Sequence, residues 1–130
     1  MVGIVIVCHS SKMVKHFIEF LDIFKSNDFN ILNGADENKD FGTTTNYLVD
    51  VIKRANQGQG VLVFVDLGSS IDMALNAKKI LKNEIEVEIA DCPVVEGCIS
   101  AVAANDTDID LQTLKEIAQD SINFRKVKDE

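Results

Sequence analysis

Two hydrophobic periods alternate along the chain. Val2–Cys8 (VGIVIVC) and Val61–Asp66 (VLVFVD) are short, nearly unbroken runs of β-branched and apolar residues. Strands of a parallel sheet covered on both faces read this way. Phe29–Asn33 (FNILN) is a shorter run of the same kind, and Glu84–Ala90 (EIEVEIA) alternates acid with apolar residue. That alternation predicts a strand with one wetter face, near a sheet edge. Between these runs the period changes to that of an amphipathic helix. Ser11–Lys25 carries a stripe of Val14, Phe17, Ile18, Leu21 and Phe24, and Thr44–Ala55 one of Tyr47, Leu48, Val51, Ile52 and Ala55. Ser70–Lys82 carries Met73, Ala74, Ala77, Ile80 and Leu81. Pro93–Ala104 is apolar on most sides, and Leu111–Phe124 places Leu111, Leu114, Ile117 and Ala118 together behind an N-cap at Asp110.

Strand alternating with helix predicts an α/β fold: a doubly wound, three-layer domain with a mostly parallel sheet. Right-handed crossovers leave few topologies. An order of 2-1-3-4 would set the first and third strands side by side. One domain spanning 1–130 is expected, with a core over about 1–124 and a charged tail over 125–130. Only that tail and the Gln57–Gly60 turn read as loose.

Composition narrows the class. The chain has 21 acidic and 13 basic residues and a net charge of −8. An acidic balance argues against nucleic acid or an anionic membrane surface as the main partner. With 46% apolar residues and a mean hydropathy of +0.07 the chain is too hydrophobic for a disordered one. No apolar run reaches the ~18–20 residues of a membrane span. Val2–Cys8 is not preceded by Lys or Arg or followed by a small-residue cleavage site, so it does not read as a signal segment. Cys8, Cys92 and Cys98 are odd in number and form no CxxC, which suits free thiols in the cytoplasm.

In open α/β sheets ligands bind beyond the carboxyl ends of the strands. Those positions hold Cys8-His9-Ser10-Ser11, Gly42-Thr43-Thr44-Thr45, Asp66-Leu67-Gly68-Ser69-Ser70 and Asp91–Gly97. Hydroxyls and glycines that open helices suit a phosphate, although the same residues serve as ordinary caps. His9 is the sharpest of them, at the end of the most hydrophobic strand. Neutral imidazole is poised to act as base or nucleophile near neutral pH; a merely structural histidine is the plainer alternative. Asp66, one strand over in a 2-1-3-4 order, would accept a hydrogen bond from one ring nitrogen and leave the other free. His16 reads as solvated, and Cys8 points away from His9 by strand alternation. Cys8, His9 and Cys92 have metal-binding atoms without ligand spacing, so no metal is expected. GxGxxG and GxxxxGK[ST] are both missing, and no cofactor is expected. The strand-end motifs place no lysine or arginine beside His9.

In order, Gly3–Ser10, Gly42-Thr43-Thr44, Asp66-Leu67-Gly68-Ser69 and Cys92-Pro93-Val94-Val95-Glu96-Gly97 resemble the mannose-class enzyme IIA domains of the phosphoenolpyruvate-dependent phosphotransferase system. Pro93–Gly97 and Gly42–Thr44 are most similar to the phosphotransferase subunits of phosphoenolpyruvate-dependent dihydroxyacetone kinases. The resemblance covers roughly the first hundred residues. It implies a histidine phosphocarrier: His9 takes a phosphoryl group from the phosphocarrier HPr and Asp66 orients the ring. Ser10, Thr43, Thr44, Gly68, Ser69 and Ser70 would hold the phosphoryl oxygens. In the kinase subfamily the next acceptor is ADP on a partner kinase subunit; in the transporter branch it is an enzyme IIB domain. A homodimer is also implied. The chain departs from the pattern at Gly34-Ala35, where a Gly-Gly pair is expected, and at Thr44, where Ser is usual. With the chain stopping at Glu130, separate donors are expected in place of fused phosphocarrier domains. A binding module of flavodoxin-like fold, with His9 structural, is the reading from a different class.

Overall fold

The two unbroken apolar runs form the central strands of the sheet. In a computed structural model that describes residues 1–128, the strands are β1 (Gly3–Val7), β2 (Ile31–Asn33), β3 (Val61–Val65) and β4 (Val87–Ala90). The helices are α1 (Ser11–Leu21), α2 (Thr45–Ala55), α3 (Ser69–Leu81), α4 (Val94–Ala104) and α5 (Leu111–Asp120). All strand pairs are parallel, in the order β2-β1-β3-β4. β1 is therefore flanked on both sides, and Val7 lies opposite Val65 in the register that brings the β1 and β3 ends together.

Strand alternation sorts the core into two layers. Ile4, Ile6 and Cys8 join Leu62, Phe64 and Ala90 on one face, covered by α1, α4 and α5. Val5 and Val7 join Val61, Val63 and Val87 on the other, covered by α2 and α3. Each side chain of this size contributes about 1.5–3 kcal/mol when fully buried. Close approach explains two glycines. A Cβ on Gly3 would collide with the Ala55 carbonyl oxygen, and one on Gly34 would stand 2.7 Å from Val7 Cγ2. Ala35, the departure from the expected Gly-Gly pair, is buried with its N–H donated to Asn33 Oδ1 at 2.9 Å.

Several boundaries differ from the periodicity. β4 starts at Val87 rather than Glu84, because Glu84 and Ile85 still donate to the Leu81 carbonyl in the turn that ends α3. β4 is an edge strand as its alternation predicts, and Glu88 on its wetter face pairs with Lys78 and Lys115. α1 and α5 close early, in 3-10 turns over Asp22–Phe24 and Ser121–Asn123. α4 buries Gly97, Cys98, Ala101 and Val102 within the chain, and Val95 remains half exposed. In the expected tail, Lys126 reaches Glu96 at 3.1 Å; positions 129 and 130 lie outside the described residues. Among the described residues no helix is long and apolar enough to cross a membrane.

Candidate active site

The site forms where β1 and β3 end side by side. Asp66 follows β3 and continues the ladder by donating its N–H to the Val7 carbonyl at 3.2 Å. This places its carboxylate under His9. Asp66 Oδ2 accepts the His9 backbone N–H at 2.9 Å and lies 3.0 Å from His9 Nδ1, with Oδ1 at 3.2 Å. Oδ1 also accepts the Leu67 N–H at 2.7 Å. Burial disfavours the charged carboxylate, but hydrogen bonds from the His9 ring, the two backbone N–H groups and the Ser70 hydroxyl outweigh it. The pKa of Asp66 is therefore held below the usual carboxylate range. An ionised Asp66 requires a proton on Nδ1, so Nε2 carries the free lone pair.

α3 supplies the rim. Gly68, at its N-cap, has φ 54° and ψ −122°, a conformation that side-chain-bearing residues rarely adopt. That turn brings Ser69 Oγ to 3.2 Å from His9 Nε2 and buried Ser70 Oγ to 3.4 Å from Nδ1. The His9 side chain is 38% exposed and Asp66 20%. The ring is thus held from below and open above.

The other expected contacts divide. Ser10 caps α1, accepting the Met13 N–H at 3.2 Å, and Thr44 caps α2, accepting the Tyr47 N–H at 3.2 Å. Thr43 Oγ1 is buried without a hydrogen-bond partner. Ser69 and Ser70 reach the His9 ring; the hydroxyls of Ser10, Thr43 and Thr44 do not. Cys8 lies in the α1, α4 and α5 layer, opposite His9 and together with Cys98, while Cys92 packs against that layer. Burial, followed by the Asp66 charge, pushes the Cys8 thiol up to about 12. His16 is exposed and meets Glu19 Oε2 at 3.3 Å.

A family model described as PTS system fructose IIA component, EIIA-man, matches residues 3–115. The chain belongs to this mannose-class enzyme IIA family. It is 29% identical over 104 residues to phosphoryl donor subunit DhaM of PEP-dependent dihydroxyacetone kinase 2 from Listeria innocua, covering 78% of this chain and 83% of that one. It is 32% identical over 118 residues to phosphoryl donor subunit DhaM of PEP-dependent dihydroxyacetone kinase from Escherichia coli K12, covering 85% of this chain. The chain spans only 25% of that second relative's length. The crystal structure of a protein of unknown function, EF1359, has the same fold with a TM-score of 0.73 and 22% identity, covering 92% of this chain and 94% of that one.

Within this enzyme IIA fold, three features escape the strand-end motifs. Gly42 donates its N–H to the His9 carbonyl at 2.8 Å, tying the β2–α2 loop to the site. Asn33, at the end of β2, donates to the Ser11 carbonyl at 2.9 Å and fixes the start of α1. Lys12, Lys15 and Lys39 line a cavity shared with Ser10 and Ser11, on the flank of the site, which the strand-end motifs do not contain. The lysines lie in α1 and a long loop, and only the tertiary arrangement gathers them. Asn33 carried a weak signal as a polar residue ending an apolar strand.

Proposed function

We propose that the chain is a histidine phosphocarrier that accepts a phosphoryl group from HPr on His9 and passes it to ADP bound on a partner dihydroxyacetone kinase subunit. The observation that carries this reading is the His9–Asp66 pair, with Nδ1 held at 3.0 Å and Nε2 on the open side of the ring. Neutral Nε2 attacks the phosphorus atom of the incoming phosphohistidine. The Nε2–P bond forms as the donor's N–P bond breaks, and the donor leaves as imidazole. Positive charge develops on the His9 ring during attack, and the Asp66 carboxylate beside Nδ1 stabilises it.

The phosphoryl group adds about −1.5 to −2 of charge. Ser69 can turn its hydroxyl from Nε2 to a phosphoryl oxygen, while Ser70 stays with Nδ1 and Asp66. Thr43 retains an unused donor one residue from Gly42, and the N-termini of α1, α2 and α3 add partial positive charge. Ser10, Thr44 and Gly68 act through those N-termini rather than through hydrogen bonds to the ring. In the second half-reaction the Nε2–P bond breaks as a terminal phosphate oxygen of ADP attacks in line, and neutral His9 is restored.

The kinase acceptor is supported by the two DhaM relatives and by the Pro93–Gly97 stretch. The family description as a fructose IIA component favours a second reading, transfer to an enzyme IIB domain. Incubation with phosphoenolpyruvate, enzyme I and HPr, followed by separate addition of an ADP-loaded kinase subunit and a mannose-class IIB domain, tests both. Label moving to ADP supports the first reading. Label moving only to the IIB domain overturns it, and no label on His9 overturns the phosphocarrier itself.

A further inference from the structure

The start of α1 breaks a rule of helix electrostatics. Unpaired N–H groups leave partial positive charge at a helix N-terminus, so acids are favoured there. α1 has no acid in its first turn and carries Lys12 there, with Lys15 just beyond. α3 and α4 keep the rule with Asp72 and Glu96; α2 and α5, like α1, have no acid there, and α1 differs from them in placing a lysine in its first turn. Lysines at this position are locally unfavourable in a chain that has 21 acids to place, and such departures concentrate at functional sites.

Lys12 and Lys15 of α1, with Lys39 and Phe41 of the β2–α2 loop, line a cavity of about 640 Å³. Both segments are tied to His9. Ser10, which lines the cavity, follows it directly, and Gly42, next to Phe41, donates to the His9 carbonyl at 2.8 Å. Glu37 and Asp40 also line the cavity, so its three lysines leave an excess of one positive charge, within a chain of net charge −8. None of the three lysines forms an ion pair among the described residues.

We propose that this lysine-lined groove receives the phosphates of a nucleoside diphosphate carried by the acceptor subunit. This rests on the phosphocarrier reading and adds the part of the site that serves the second half-reaction. The two halves differ in charge. Transfer from a donor histidine brings one phosphoryl group to a neutral imidazole. Transfer onward brings the phosphoryl group on His9 against a second polyanion, and the two repel directly. A local excess of positive charge in the groove that begins at Ser10 offsets that repulsion and steers the acceptor to a face that the chain's overall charge would otherwise oppose. The Nε2–P bond breaks as the bond to the terminal phosphate oxygen forms, giving a triphosphate and neutral His9, so the lysines hold charge and move no proton.

The test is the triple variant Lys12→Gln, Lys15→Gln, Lys39→Gln, with both half-reactions followed by rapid quench. Transfer from phospho-His9 to the ADP-loaded kinase subunit is expected to slow about 10-fold at low salt and to lose most of its salt dependence. Labelling from phospho-HPr is expected to change by about 3-fold or less, because its acceptor imidazole is neutral. The melting temperature should not fall, since the positive charge of Lys12 leaves the first turn of a helix. The triple arginine variant should transfer to ADP at close to the wild-type rate. Equal slowing of both halves, or undiminished transfer to ADP by the glutamine variant, overturns the inference alone. Wild-type protein that takes label and never delivers it to ADP overturns the acceptor assignment and this inference together.

Discussion

Asp66→Asn tests the site most directly, because it changes charge and hydrogen bonding while keeping shape. The carboxylate accepts from the His9 N–H at 2.9 Å, the Leu67 N–H at 2.7 Å and His9 Nδ1 at 3.0 Å. An asparagine offers one accepting oxygen and one donating amide. With the amide toward His9 it opposes the backbone N–H and makes Nδ1 an acceptor, which moves the ring proton to Nε2 and removes the nucleophile. With the amide toward Leu67 it opposes that N–H instead. Opposing the partly buried His9 N–H costs about 1–3 kcal/mol of stability, and opposing the exposed Leu67 N–H, which water can satisfy, costs less. For transfer, losing a hydrogen bond to a charged group worth about 1.5–3 kcal/mol predicts a 10- to 150-fold reduction. Losing the carboxylate's attraction for the developing ring charge, up to about 4 kcal/mol at this range, extends that toward four orders of magnitude. Rapid-quench transfer of ³²P from phospho-HPr measures the rate, and urea unfolding measures the stability. A folded variant that transfers within about 2-fold of wild type would remove Asp66 from the chemistry and leave it a structural acceptor.

His9→Ala should abolish label acceptance while changing stability by about 1 kcal/mol or less, since the ring is 38% exposed and Asp66 keeps its backbone donors; retained label would move the acceptor elsewhere. Gly68→Ala meets no atom within 4 Å of the new Cβ at φ +54°, so backbone strain alone should cost about 1–3 kcal/mol and slow transfer by misplacing Ser69 and Ser70. Calorimetry with the same transfer assay checks both effects, and an unchanged melting temperature would refute the strain. At Glu88 burial disfavours the charge, but Lys115 and Lys78 outweigh it and lower its pKa, as the donors around Asp66 do there. A depressed folded pKa gives stability that is complete above the unfolded value and lost as pH falls through the folded one. Urea midpoints should therefore drop progressively below about pH 5, and less steeply in Glu88→Gln; parallel profiles would contradict this. A homodimer is expected in solution, and a light-scattering mass near 14.3 kDa at micromolar concentration would refute it.

The layer architecture was legible in the sequence because it depends on local period. Continuous apolar runs at Val2–Cys8 and Val61–Asp66 require cover on both faces, and the intervening stripes supply it. Alternation alone also separates Cys8 from His9, and strand-end position singles out His9 and Asp66. Element ends were less legible, since the turn after Leu81 and the 3-10 closures of α1 and α5 are set by hydrogen bonds that periodicity does not contain. Tertiary structure alone decided which hydroxyls meet the ring. Ser69 and Ser70 reach His9 because parallel pairing of β1 with β3 brings Asp66 beneath it and Gly68 turns α3 inward. Ser10 and Thr44, which also carry hydroxyls and open helices, are engaged by the first turns of those helices. Lys12 and Lys15 of α1 likewise meet Lys39 of the β2–α2 loop only in the folded chain. Such contacts join residues far apart in the chain, and their free energy depends on distances that exist only once the sheet has formed.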